Sequence, residues 1–244
     1  MMRSIGRRGF MTSAGLTLTG LALALLPGTA QADDATTAAQ IARYTAYLKI
    51  ASLEDSQAGE ILDQFQKLSG DKKARFVTLI NDPELASKFF EAATSAPTAA
   101  GERITLAGGD VEIEYENIGG AVDGLPPNDD SAAQASRVRD MWASYAVTDK
   151  FLGVKVAQVK VRTNYQVKGK NTTKVYPGSA SHYLYVPGCS FSHSPVEEWI
   201  SSPPPDNAHS ETVWTAECWG SAWSKRERVW GDYRGFVGGY LKKQ

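Results

Sequence analysis

Histidine and cysteine are both scarce in this chain of 244 residues, which has three histidines and two cysteines. The short patterns of common catalytic sites are also missing. The sequence has no nucleophile elbow, no zinc-binding His-Glu-x-x-His pair and no glycine-rich phosphate loop. These absences leave an enzymatic role open but favour a non-catalytic protein without a bound cofactor or metal ion. A composition with 42% hydrophobic and 22% charged residues excludes wholesale disorder.

The N terminus has the three parts of a secretory signal peptide. A head with three arginines precedes an uncharged apolar run over 14–26, and Ala30–Ala32 forms a small-x-small cleavage site. The run is shorter than the about 20 residues that a transmembrane helix needs. The segment Gly6–Met11 resembles the twin-arginine export signal, which pairs two arginines with a nearby phenylalanine. The sequence therefore predicts that residues 1–32 direct export from a bacterial cell, so that the mature protein is secreted.

Removal of this leader changes the charge balance. Without the three leader arginines, 23 basic residues face 27 acidic ones, a formal charge of −4. This balance argues against general nucleic-acid binding through a basic surface. No second apolar run is long enough to span a bilayer, so we expect a mature chain without a transmembrane segment.

The two cysteines, Cys189 and Cys218, both lie in the mature chain. An even pair in an exported protein indicates one disulfide bond. The alternatives are a thiol nucleophile or a pair of metal ligands. They are less favoured because neither cysteine belongs to a Cys-x-x-Cys motif.

The first part of the mature chain, residues 33–94, has helical periodicity. Apolar residues recur at steps of three and four, and Asp82-Pro83-Glu84 has the order of a helix cap followed by proline in the first turn. Ser52-Leu53-Glu54-Asp55 resembles a capping box. We expect three or four helices in a small bundle that docks on the rest of the chain, or acts as a spacer or prosegment. Residues 95–102 have the small, polar composition of a linker.

From residue 103 to residue 244 the apolar period changes to two, as in β-strands. Ile104–Leu106 and Val111–Tyr115 predict a hairpin, and the longest alternation runs from Phe151 to Val167 with a phase slip near Ala157. Such a slip predicts a β-bulge. Further strands are expected at 181–186, 212–219 and 228–237, and a loop at 119–130. No helical crossover separates these segments, so the sequence predicts an α+β fold: a small N-terminal helical bundle followed by an antiparallel β-sandwich or open barrel with one disulfide.

The histidines are the most plausible catalytic side chains. A hydrolase would combine His182, His193 and His209 with a carboxylate. His193 and Glu197 have the spacing of two metal ligands on one helix face. Ser194 with Pro195 instead predicts a helix cap, which would place His193 outside that helix.

The segment 150–174 contains seven basic residues and no acidic one. With the bulge, four of these cations share the face opposite the valines: Lys155, Lys160, Arg162 and Lys168. Such a face fits an anionic polymer, an acidic polysaccharide or lipid headgroups. The alternative is ordinary pairing with the acidic stripe formed by Glu112, Glu114 and Glu116 on a neighbouring strand.

Aromatic and basic residues also alternate near the C terminus. The candidate binding residues there are Trp223, Arg226, Arg228, Trp230 and Tyr233. Exposed rings stack on sugars or settle at interfaces, with nearby cations holding anionic groups. The alternative is a tryptophan-rich core with a basic outer surface.

These features predict a secreted bacterial binding protein without catalysis, which engages an anionic envelope or extracellular polymer through a basic and aromatic β surface. One alternative is an antagonistic, toxin-like factor with a helical prosegment. Another is the histidine-based hydrolase described above, and a third is a structural protein that assembles with itself.

Overall fold

The structure is a computed structural model that describes residues 29–93, 102–124, 137–202 and 206–244. The predicted leader as far as residue 28, nearly all of the predicted linker and residues 125–130 of the predicted loop lie outside these ranges. None of the described helices is long and apolar enough to cross a membrane.

Within residues 29–93, four helices form the N-terminal bundle. They are α1 (Thr29–Ala51), α2 (Ser56–Gln66), α3 (Gly70–Ile80) and α4 (Pro83–Ala92). The predicted start of α4 is confirmed, because the Asp82 carboxylate accepts hydrogen bonds from two backbone N–H groups of the first turn and Pro83 follows it. At α2 the cap is Asp55 rather than Ser52, whose hydroxyl donates to the carbonyl of Lys49 at the end of α1.

The bundle docks on the β region instead of standing apart from it. Tyr44, Phe65 and Phe76 pack ring against ring with centroids 5.0–5.1 Å apart. Phe76 also contacts Phe151 of the sheet, and the Tyr44 hydroxyl donates to the carbonyl of Tyr185. The helices therefore bury their apolar faces against one end of the sheets, which gives a small bundle the core that it lacks alone.

The described residues form ten antiparallel strands in two sheets. Sheet A contains β1 (Arg103–Leu106), β2 (Val111–Ala121), β3 (Val138–Phe151), β4 (Val154–Lys168) and β5 (Asn171–Leu184) in sequential order. Sheet B contains β10 (Gly235–Lys243), β9 (Ser221–Asp232) and β8 (Ala208–Cys218), with β6 (Cys189–His193) and β7 (Glu197–Ile200) along the remaining edge of β8. Alternate residues of both sheets meet in a shared core. The predicted fold class is confirmed: a helical bundle precedes two antiparallel sheets, and both sheets are open rather than closed into a barrel.

The predicted disulfide is also confirmed. Cys189 in β6 lies directly opposite Cys218 in β8, and the two sulfur atoms are bonded. The bond fixes the short edge strand β6 to the middle of sheet B.

Strand β3 is the main element that the sequence did not predict. It lies between β2 and β4, and its outward positions carry small or polar residues such as Ser144, Ala146 and Thr148. Strand β2 also extends to Ala121, through part of the predicted loop 119–130. Gly119 is needed there because a side chain would collide with the backbone of Phe236.

The predicted bulge lies in β4 at Val156. Asp149 pairs with Ala157 and Lys150 pairs with Lys155, so Val156 is the extra residue. The bulge keeps the later valines of β4 directed into the core.

Two carboxyl groups are enclosed in that core. Glu227 on β9 has no exposed surface, accepts a hydrogen bond from the indole Nε1 of Trp214, and has its pKa raised to about 8 by burial. Asp149 on β3 lines two small cavities of about 40 Å³ each beneath α4, and burial raises the pKa of Asp149 well above its usual value. Burial therefore favours the neutral form of both carboxyl groups.

Candidate functional site

The four candidate cations of β4 lie on the outer face of sheet A. Lys155 and Lys168 are exposed, and Lys160 and Arg162 are half-buried. Their pairing partners and the burial of the intervening residues place all four opposite the core side chains. We call this set the cation track.

Two glutamates of the acidic stripe of β2, Glu112 and Glu114, form ion pairs with cations outside the track. Glu114 accepts a 2.5 Å ion pair from Lys150, and Arg103 lies 3.8–3.9 Å from Glu112 and Glu114. The hydrogen bond from Lys150 lowers the pKa of Glu114. Because β3 separates β2 from β4, these direct ion pairs are made to strands β1 and β3, and Lys155 of the track acts on Glu114 only through its charge. Among the described residues, no carboxylate lies within 4.0 Å of a track nitrogen.

Small side chains flank the centre of the track on both neighbouring strands. Lys160 lies between Ala146 on β3 and Ser181 on β5. Arg162 lies in the same way between Ser144 and Ser179 on those strands. Long cationic side chains can therefore lie along the sheet while their charged ends reach solvent.

Arg162 is the most firmly oriented cation of the track. Its Nε donates to the side-chain oxygen of Asn164 over 3.0 Å, and its guanidinium carbon lies 4.4 Å from the ring centroid of Trp142. The cation–π contact and the hydrogen bond fix the plane of the guanidinium. Trp142 was absent from the candidate residues because it belongs to the unpredicted strand β3.

A second set of polar groups extends the surface onto β5. Lys174 lies 4.9 Å from the ring centroid of Tyr176. The Tyr176 hydroxyl donates to Asp140 over 2.9 Å and accepts from the amide of Gln166 over 3.1 Å. The hydrogen bond to Asp140 raises the pKa of Tyr176. The acid-free stretch 150–174 was the sequence signal for Lys174.

Three of the C-terminal candidates lie on the other side of the sandwich. Arg226, Arg228 and Trp230 occupy the outer face of sheet B, while the alternate residues of β9 point into the core. Both arginines pair with Glu211, over 3.4 Å and 2.5 Å. The structure therefore places the β4 cations and these C-terminal residues on the outer faces of two different sheets.

The rings on this outer face stack mainly on each other. His209 lies between Trp199 and Trp230, with ring centroids 4.9 Å and 5.9 Å away. The ring of Trp230 packs over Gly238, where a side chain would collide with it. Burial lowers the pKa of His209 to about 4. The broad faces that would stack on a sugar are thus largely occupied within the protein.

Trp223 and Tyr233 lie in two further places. Trp223 belongs to the inner face of sheet B and stacks on Phe90 of α4, with centroids 4.5 Å apart. Tyr233 lies in the turn after β9, with Lys170 5.7 Å and Arg234 5.4 Å from its ring centroid. These positions separate both residues from the cation track and from Trp230.

The three histidines divide into a pair and a single residue. The ring centroids of His182 and His193 are 6.4 Å apart, whereas His209 belongs to the stack on the outer face of sheet B. No carboxylate is hydrogen-bonded to the pair among the described residues. Three or more potential metal ligands of the His, Cys, Asp and Glu types nowhere converge in that part of the chain.

The helix predicted after Ser194 is wrong. Glu197 begins strand β7, and the Ser194 hydroxyl accepts a hydrogen bond from the backbone N–H of Val213 on β8. Pairing with β8 outweighs the local capping signal because it gives the backbone of β7 hydrogen-bond partners along one edge.

No protein-family model, curated protein or solved structure matches this chain. The interpretation of the surface therefore depends on its own geometry and charge.

Proposed function

We propose that this chain is an exported bacterial binding protein, without catalysis, that holds an anionic envelope or extracellular polymer on the outer face of sheet A. The ligand chemistry is a chain that repeats phosphate or carboxylate groups. The observation that carries the proposal is that no track cation forms a salt bridge within the described residues, whereas Glu112 and Glu114 of the acidic stripe pair with Arg103 and Lys150. The N-terminal leader in the sequence supports the extracellular location.

The spacing of the track suits a polymer better than a small anion. Lys160 and Arg162 are two residues apart, which corresponds to about 6.6 Å along a strand. Lys155 and Lys168, at the two ends, extend the charged line over roughly 40 Å. Several weak charge contacts along one polymer add to a useful affinity, and salt weakens each of them.

The cations have different roles in this proposal. Arg162 presents an oriented fork that suits two oxygens of one phosphate or carboxylate. The lysines act as mobile point charges that tolerate variation in the polymer. Ser179 and Ser181 on β5 add hydroxyl groups beside the two central cations.

The contacts of the opposite face favour charge over ring stacking as the mode of recognition. There the arginines share Glu211, and the tryptophan faces are occupied by His209 and Gly238. That face has less free charge and less free ring surface to offer a ligand.

The proposal predicts that the double variant Lys160→Gln/Arg162→Gln loses binding to long-chain inorganic polyphosphate. We expect at least tenfold weaker binding at 50 mM salt, because two of the four track charges are removed. The measurement is fluorescence anisotropy or calorimetry with the full chain at several salt concentrations. The slope of log affinity against log salt should fall by roughly one to two.

A matched control is the double variant Lys67→Gln/Lys72→Gln, which makes the same charge change at exposed positions of the helical bundle. This control should bind polyphosphate within about twofold of the unmodified protein. An equal loss of affinity in both double variants would show that only net charge matters. That result would contradict the proposed role of the cation track. Binding to phosphatidylglycerol vesicles with none to polyphosphate would replace the polymer with a membrane surface.

A further inference from the structure

His182 and His193 come from different sheets and meet at one edge of the sandwich. His182 lies near the end of β5, the edge strand of sheet A, and His193 ends β6 in sheet B. Their ring centroids are 6.4 Å apart, and both side chains are exposed. Two imidazoles from separate elements thus share one solvent-accessible position.

Both rings are oriented by their surroundings. Each lies edge to face with Trp214, with centroid distances of 5.6 Å and 4.9 Å. The Nδ1 of His193 lies 2.7 Å from the carbonyl oxygen of Ser194. A carbonyl only accepts, so Nδ1 carries the proton and donates. The neutral ring then keeps its lone pair on Nε2, the arrangement found in metal-ligating histidines.

The separation of the rings suits one shared ion. An imidazole–zinc bond is about 2.0–2.1 Å long, so two rings on one tetrahedral ion have centroids roughly 5 Å apart. The rings must approach each other by about 1 Å. Small changes in χ1 move each ring by the required amount, and rotation about the broad χ2 torsion then directs a ring nitrogen toward the ion. Neither ring nitrogen of His182 has a hydrogen bond among the described contacts, so no such bond has to break before the ring binds an ion.

We propose that His182 and His193 bind one divalent transition-metal ion, Cu²⁺ or Zn²⁺, between the two sheets. Imidazole is a suitable ligand for both ions, and Cu²⁺ should bind more tightly. Because no third protein ligand converges in the described part of the chain, water completes the coordination. The site is independent of the cation track, which lies on the outer face of sheet A.

The position of the pair gives the ion a structural effect. Strands β5 and β6 belong to different sheets, and an ion held by both histidines ties these edges together. An ion that binds only the folded state raises the midpoint of thermal unfolding.

The test is isothermal titration of the full, untagged chain with ZnCl₂ and CuCl₂ in a buffer that does not chelate metals. We expect one ion per chain, with His182→Ala and His193→Ala each weakening binding at least tenfold. The control is His209→Phe, which removes the remaining histidine but preserves an aromatic ring between Trp199 and Trp230. It should bind the ions within about twofold of the unmodified protein.

Thermal unfolding with and without the ions provides a second measurement. The midpoint should rise with added Zn²⁺ or Cu²⁺, and chelation with EDTA should reverse the rise. The increase should disappear in both alanine variants. The proposal is overturned if the unmodified chain binds neither ion at 100 µM, or if either alanine variant binds as tightly as the unmodified chain does.

Discussion

The variant Glu227→Gln is expected to be more stable than the unmodified protein at pH 8, by about 3–5 kcal/mol in the free energy of unfolding. Glu227 has no exposed surface, and burial raises its pKa from 4.5 to about 8. Glutamine has nearly the same shape, is neutral at every pH, and can still accept the hydrogen bond from Trp214. The glutamine variant therefore avoids the free-energy cost of ionising a carboxyl group in the core.

The direction of the pH dependence follows from proton binding. Between pH 4.5 and pH 8 the unfolded chain releases the Glu227 proton while the folded chain keeps it. The folded state then binds more protons, so the free energy of unfolding falls as the pH rises. The contribution of Glu227 to the free energy of unfolding is fully present below about pH 4.5, and it is lost as the pH rises through about 8. Asp149 acts in the same direction, because burial raises its pKa too.

Denaturant unfolding at pH 5 and at pH 8 measures this effect. The two proteins should differ little at pH 5 and clearly at pH 8. The matched control, Glu217→Gln, replaces an exposed carboxylate of β8 and should change stability by less than about 0.5 kcal/mol at either pH. A Glu227→Gln variant that is equally destabilised at both values would contradict a neutral, buried Glu227.

Loss of the disulfide is the second large expected effect. The double variant Cys189→Ser/Cys218→Ser opens a link between residues 29 positions apart. We expect the free energy of unfolding to fall by about 3–4 kcal/mol, because the unfolded chain gains conformational freedom. Serine has a similar size, and Cys218 is buried, so part of the loss also reflects a polar group in an apolar place.

Chemical unfolding of the oxidised protein, the reduced protein and the double variant measures this effect. The reduced protein and the variant should unfold at similar denaturant concentrations, both below the oxidised protein. An unchanged midpoint after complete reduction would show that pairing between β6 and β8 holds this edge without the bond.

The two-residue period of the sequence was sufficient to predict β4 and its bulge. Valines and cations alternate there because one face meets the core and the other meets solvent. Strand β3 was missed because Asp149, which is polar, points inward, and Ala146, which is apolar, points outward. Strand β3 is central in sheet A and is buried on both faces. Apolar and polar residues therefore do not alternate along it, and a search for a two-residue period does not detect it.

The surface was predictable only in part, for a related reason. The alternation of residues along β4 predicts that Lys160 and Arg162 share one face, and they do in the structure. It gives no information on which way β9 faces relative to β4, so the sequence does not predict that Trp230 lies on the outer face of the other sheet. The pairing of Glu114 with Lys150 also depends on β3 lying between two strands that the sequence suggested as neighbours.

Lysine footprinting tests the cation track most directly. The full chain is acetylated with and without long-chain polyphosphate, and the modification of each lysine is measured by mass spectrometry. The account predicts that polyphosphate protects Lys155, Lys160 and Lys168, while Lys242 on the outer face of sheet B reacts at an unchanged rate. Protection of Lys242 with unchanged reactivity at Lys160 would place the ligand on the opposite side of the sandwich and contradict the account.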